Sequence, residues 1–299
     1  MAASSLREKL RGGEFCFTAE LVPPLSANAS TVLEMAAPLR GLVSAVNVTD
    51  GAGAKTTMSS LAAAAILARD GIEPVLQLTC RDRNRIALAA DLVGASALGI
   101  CNFLPLFGDD PKKGDQPDAK PVQDLNTAGL ITLARSMRDR GELPTGRRIE
   151  PAPDFFIGAA DIPREHDPAA GPHPLAAKLD AGAEFVQTQL CFDADLVRRY
   201  TKGLDRAGLL GRVKILIGLG PIASLKSAQW MKQHLFGVAM PDAVLKRLEG
   251  AADQPAEGRR ICIELIRELR GIPGVAGAHL MAPARPITDL ASLILECSP

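Results

Sequence analysis

Eight apolar segments that read as strands, each followed by a helical segment, predict an α/β chain forming one (β/α)₈ TIM barrel domain over residues 1–299. Strand and helix periods alternate eight times without an internal repeat. The strands are near-continuous apolar runs, as parallel strands covered on both faces require. No G-x-G-x-x-G follows the first strand and no Walker lysine loop occurs, which disfavours an open doubly wound sheet.

In order, Phe15, Phe17 and Ala19 alternate with Cys16, Thr18 and Glu20 as a first strand, ended by Pro23-Pro24. Helical spacing over Ala27–Ala37, with Asn28 or Ser30 as N-cap, precedes a second strand over Val43–Asp50. An Ala-rich helix over Ser59–Ala68 leads to a third strand over Pro74–Cys80, and a helix over Asn84–Leu98 to a fourth over Asn102–Leu106. The Gly-, Pro-, Lys- and Asp-rich stretch Pro111–Pro121 is a long loop before a helix over Asp124–Arg140. A fifth strand over Phe155–Ala160 opens into a second long loop, Pro163–Pro174, carrying His166 and His173. Helix over Pro174–Ala181, strand over Phe185–Phe192, helix over Asp195–Ala207 and strand over Lys214–Gly220 follow. Helices over Ser224–Leu235, Asp242–Glu249 and Gly258–Leu269, an eighth strand over Gly277–Ala282 and a helix over Ile287–Glu296 complete the chain.

Lysine plus arginine equals aspartate plus glutamate at 34 each, so no global field draws in nucleic acid or an anionic membrane. Six scattered cysteines without a C-x-x-C pair indicate a reducing, cytoplasmic setting and no metal site. Residues 1–13 lack the apolar core of a signal peptide, and no segment is long and apolar enough to span a bilayer, which predicts a soluble protein. A homo-oligomer is compatible with this composition.

Active sites of such barrels form at the C-terminal strand ends. Those ends supply Glu20, Thr49, Asp50, Gln77, Thr79, Asp109, Asp110, Asp161, Gln189, the Gly218–Pro221 turn and Arg285. Singly, each is as well explained by solvation or structure; together they form a convergent polar ring. Glu20 at the end of an apolar strand loses hydration, which disfavours its charged form and suits a proton donor. Pairing with a neighbouring Lys or Arg is the alternative. Asp109 follows Gly108, which permits close backbone approach, and its carboxylate can stabilise a developing cation. Gln189, inside an apolar strand, must find amide partners and can offer a donor and an acceptor to a heterocycle.

The pieces FTAELVPP, VNVTDGAG, LQLTC, LFGDDP, AKLDAGAEFVQTQLCFD, GLGPI and AHLMAPAR, in that order from about residue 15 to 285, resemble the methylenetetrahydrofolate reductase family. The resemblance implies FAD over the barrel mouth, reduced by NAD(P)H and passing hydride to 5,10-methylenetetrahydrofolate to give 5-methyltetrahydrofolate. It implies Glu20 as general acid, Asp109 as the aspartate near flavin and pterin, and Gln189 and Arg285 as substrate contacts. It places Thr49, Asp50, Ala52, Gln77, Phe107, Gly108, Asp109, Asp161, His166 and Lys178 against FAD. The chain departs from the family pattern in four places: Phe107 stands where an arginine is common, Gln77 replaces a common histidine, Leu225 occupies an aromatic position, and GAADIPREH lacks a tyrosine. A flavin-independent divergent reductase and a folate-binding barrel in methyl transfer are the alternatives.

Overall fold

The computed structural model describes residues 4–167, 169, 171–283 and 286–297. All eight expected strands are present: β1 (Cys16–Leu21), β2 (Ala45–Val48), β3 (Pro74–Thr79), β4 (Asn102–Leu106), β5 (Phe156–Asp161), β6 (Phe185–Leu190), β7 (Lys214–Leu219) and β8 (Val275–Leu280). Each pairs in parallel with the next, and β8 pairs with β1 through Cys16–Gly277 to Ala19–Leu280, which closes the barrel. The register shifts between Gln187 and Leu190 on the edge that β6 shares with β7.

Alternation along each strand divides the apolar residues into two sets. Ala19, Val46, Leu76, Phe103, Ile157, Val186, Ile217 and Ala278 face outward and pack in one buried cluster with the surrounding helices. Those helices are α2 (Ala29–Ala36), α3 (Ser60–Arg69), α4 (Arg85–Ala97), α5 (Thr127–Arg140), α6 (Ala176–Ala181), α7 (Ala194–Arg206), α8 (Leu225–His234), α9 (Asp242–Glu249), α10 (Gln254–Leu269) and α11 (Thr288–Cys297), with an additional helix ahead of β1 numbered α1 (Ser5–Gly12). Side-chain caps fix several helix starts where the chain leaves the barrel mouth: Asn28, Ser59, Asn84, Asn126 and Asp193 each accept from an N–H of the first turn. Helix α10 starts at Gln254, earlier than its sequence pattern implied, because Asp253 caps it and Pro255 occupies its first turn.

The inward set is layered. At the N-terminal end Cys16, Ala45, Val75, Leu104, Phe156, Phe185 and Leu216 form an apolar plug with Leu6 and Leu10 of α1. Gly158 makes this possible, since a Cβ there would lie 2.4 Å from the Phe185 ring. One residue pair further along the strands the interior turns polar, with Thr18, Asn47, Gln77, Gln187 and His279 all buried.

Helix α1 went unrecognised in the sequence because its eight residues are mostly charged or polar. Its apolar content is two leucines spaced i, i+4, both fully buried. A carboxylate holds it in place. Glu73 accepts from the Ser5 and Leu6 N–H groups at 2.8 and 3.2 Å and from the Asn102 amide at 2.7 Å, so a negative charge sits at the helix N-terminus. Replacing Glu73 with alanine orphans these donors at a partly buried site. The expected cost is about 2 kcal/mol, read as a lower urea midpoint at unchanged m-value; an unchanged midpoint would show that α1 docks through Leu6 and Leu10 alone.

Candidate active site

Above the polar layer the barrel opens into a cavity of about 370 Å³ lined by residues from β1, β3, β4, β5, β6 and β8. Glu20, Gln77, Asp161, Lys178 and Gln189, all expected from the sequence, meet there, together with Gln187, His279, Arg164 and Phe236, which sequence reading did not select. A larger cavity of about 450 Å³ lies among α7, α9 and α10. Its carboxylates Glu264 and Glu268 are paired with Arg247 and Arg198, and it contains none of the strand-end groups, so the chemistry belongs to the barrel mouth.

Glu20 keeps about a quarter of its side-chain surface open, and the group that faces it is neither Lys nor Arg: His279 Nε2 stands 3.9 Å from its Oε2. Gln189 reaches the cavity at the register shift of β6. Its Oε1 accepts from the Leu190 N–H at 2.8 Å and its Nε2 donates to the Phe236 carbonyl at 3.1 Å. One amide hydrogen and one oxygen lone pair are left for a ligand. Gln189 thus finds the partners its apolar strand demands, and a second amide two residues earlier on the same face, Gln187, is buried and pairs with Asn47 and Thr18.

At the β5 end, Asp161 is buried and accepts from the Tyr200 hydroxyl at 2.6 Å. Burial, and next the Asp161 charge, push the Tyr200 phenol well above its ordinary range, so the phenol keeps its proton and donates it. Lys178 donates to the Ala160 carbonyl at 2.6 Å; burial pulls its ammonium down from the ordinary lysine value, with Asp161 opposing. His166 donates from Nε2 to the Gly171 carbonyl at 2.8 Å and meets the His173 ring edge to face at 4.9 Å. His173 accepts from the Leu175 N–H at Nδ1, which leaves the buried Nε2 without a partner among the described residues, and burial lowers its pKa.

The β2 to β4 side of the mouth is a braced wall. Asp50 is fully occupied: it accepts from the Thr79 N–H and hydroxyl, from Ser60 and from both Arg83 Nη atoms. It borders a separate cleft of about 270 Å³ and does not line the main cavity. Arg81, also absent from the sequence-based set, is buried beneath the Gly51 and Asp109 carbonyls and paired with Asp82, whose carboxyl it holds below the ordinary aspartate value against the effect of burial. Gly108 adopts φ +97°, and a Cβ there would lie 2.7 Å from Arg81 Cβ. Asp109 is exposed, its Oδ2 accepting from the Gly53 N–H at 2.7 Å beside Ala52. Phe107 is half exposed, and Thr49 has a buried Oγ1 with no partner among the described residues. Leu225 packs against the core at the start of α8, whereas Phe236, 86% exposed, stands at the edge of the cavity. Arg285 lies outside the described residues.

Part of what was missed carries a signal in the sequence. Gln187 and His279 occupy the inward alternation that Gln189 and the strand pattern already imply, while Phe236 sits between two helices where no period marks it.

With this geometry in place, comparison with known proteins is informative. The family model described as methylenetetrahydrofolate reductase matches residues 5–285. A probable methylenetetrahydrofolate reductase (NADPH) of Caenorhabditis elegans is 29% identical over 76% of this chain and 32% of its own length. Methylenetetrahydrofolate reductase 2 of Schizosaccharomyces pombe is 26% identical over 90% and 42%, and the 5,10-methylenetetrahydrofolate reductase of Escherichia coli 27% over 61% and 59%. The matches thus span a third to three fifths of these relatives. A Clostridium thermocellum protein that binds two copies of 5-methyl-5,6,7,8-tetrahydrofolic acid shares the fold, with a TM-score of 0.67 at 14% identity over 97% of both chains. A match that runs through all eight strands, from α1 to the segment after β8, leaves one assignment: the chain belongs to the methylenetetrahydrofolate reductase family.

Proposed function

We propose that this chain reduces 5,10-methylenetetrahydrofolate to 5-methyltetrahydrofolate with hydride from NAD(P)H by way of FAD. The observation that carries the reading is the family match over residues 5–285 together with the meeting of Glu20, Gln77 and Gln189 in one cavity at the barrel mouth. The relatives' names supply the reaction and, for the worm protein, NADPH.

Thr49 supports a bound cofactor: its hydroxyl is buried, has no partner among the described residues and continues the inward alternation of β2 one residue past its end, as a group that completes its hydrogen bonding on a ligand would. Thr49, Ala52, Gln77, Phe107, Gly108, Asp109, Asp161, His166 and Lys178 would hold FAD. Asp50 would act behind them, through Arg83 and Thr79. When bound there, FAD would supply the hydride, drawn from NAD(P)H, that the methylene carbon receives. Glu20 donates its proton to the folate nitrogen whose bond to that carbon opens, so that the electrons of the C–N bond end on nitrogen as a new N–H bond forms. Asp109, fixed by the Gly53 N–H, lowers the energy of the iminium cation left on the methylene carbon. Gln189 turns its remaining amide hydrogen and lone pair to the pterin edge.

Purified protein is expected to be yellow, to bleach with NAD(P)H and to recover its colour with methylenetetrahydrofolate. Colourless protein that reduces the folate supports the flavin-independent alternative, and folate binding without turnover supports methyl transfer. Glu20→Gln should slow the folate step by about 10²- to 10⁴-fold while flavin reduction by NAD(P)H continues; equal loss in both half-reactions would remove Glu20 as general acid. For Asp109→Asn, slower folate reduction should accompany a changed flavin potential measured against a reference dye. If rate and potential both match the parent protein, Asp109 has no part in the mechanism.

A further inference from the structure

The polar layer beneath the cavity is an ordered chain of donors and acceptors. Gln187 spends both Nε2 hydrogens, one on Asn47 Oδ1 at 2.9 Å and one on Thr18 Oγ1 at 3.0 Å. Asn47 returns a hydrogen from Nδ2 to Gln187 Oε1 at 2.5 Å. The Thr18 oxygen is therefore an acceptor from Gln187, and its own O–H is left for its next neighbour, His279 Nδ1, at 3.0 Å. All four side chains are at most 3% exposed, so water does not compete for these hydrogens. A neutral imidazole that accepts at Nδ1 carries its proton on Nε2, and that nitrogen faces Glu20 Oε2 at 3.9 Å.

Resting on the reductase reading for the destination of the proton, we infer that the Asn47–Gln187–Thr18 chain locks His279 as its Nε2–H tautomer, and that His279 thereby positions Glu20 and directs its proton into the cavity. With its one lone pair held by Thr18, His279 offers Glu20 no basic nitrogen, so the Glu20 proton has no route down into the barrel. When the Glu20 O–H bond breaks and the proton passes to the folate nitrogen, the carboxylate left behind meets an N–H rather than a lone pair. The same arrangement takes the proton back from solvent through the open side of Glu20. His279 acts through Glu20 and is a positioning residue.

The chain holds four histidines, so their ¹⁵N imidazole signals can be resolved in ligand-free protein, with His279 assigned by its absence from His279→Gln. His279 is expected as the pure Nε2–H tautomer. Thr18→Val, which keeps shape and removes the hydroxyl, should abolish that preference and lower kcat for folate reduction by about 10- to 100-fold with KM for the folate unchanged. Thr18→Ser should restore both. An Nδ1–H tautomer in the parent protein overturns the inference, as does a Thr18→Val protein that loses the tautomer and keeps its kcat. The tautomer is read without cofactor or turnover, so it stands apart from the reductase reading, which fails separately if Glu20→Gln reduces the folate at the parent rate.

Discussion

A closed parallel barrel excludes water from its interior, so every polar side chain pointing inward must find a partner inside or face the mouth. Four of the inward positions at mid-height obey the first rule. Thr18, Asn47, Gln187 and His279 come from β1, β2, β6 and β8 and join in one hydrogen-bonded layer. Leaving one such donor or acceptor unmatched costs about 1–3 kcal/mol, so the layer admits few substitutions unless partners change together. Its position sets everything above it. Below lies the apolar plug closed by α1, above lies the cavity, and Glu20 is the next inward residue of β1 after Thr18.

The mouth itself has two unlike halves. On the β2 to β4 side, Arg83, Thr79 and Ser60 all hydrogen-bond to Asp50, and the loop after β4 folds back over the loop after β2. Gly53 donates to Asp109, Thr56 donates to Asp115, and Gly114 lies so close to Ala54 that a Cβ would reach its carbonyl oxygen at 1.8 Å. On the opposite half, Gln189 holds the Phe236 carbonyl, and Gly237 at φ +81° packs against Ile162, which brings an exposed aromatic ring to an otherwise open cavity. A hydrogen-bonded wall thus faces an open half across the mouth.

The barrel was legible in the sequence because both of its periods are written in apolar residues: runs such as Lys214–Leu219 and the spaced leucines of the helices leave little freedom. Helix α1 was not, since its docking depends on Glu73, far along the chain and visible only once β3 is in place. For the site, Glu20 and Gln189 could be read from strand ends. Within β6 the residue passed over is Gln187: it lies two positions before Gln189 on the same inward face, lines the same cavity, and is the amide buried among Asn47 and Thr18. Asp50 shows the opposite limit. A carboxylate at a strand end looks available to a ligand, yet Arg83 and Thr79, more than 28 residues away in sequence, consume its oxygens.

Strand-borne and loop-borne positions also differ in the departures that the sequence resemblance implies. Glu20, Gln77 and Gln189 stand on β1, β3 and β6, and a ligand touching all three must lie across the mouth. Their relative placement is set by the hydrogen-bonded register of the whole barrel, with errors smaller than a loop permits. Phe107, Leu225 and the segment after β5 follow strand ends, where a change of side chain moves no strand, and three of the four departures fall there. Gln77 is the exception, and it is an amide facing the same cavity as two other amides. A barrel of this kind can therefore alter the rim of its mouth while Glu20 on β1 and Gln189 on β6 stay in place, because the first depends on what the loops carry and the second on closure of the sheet.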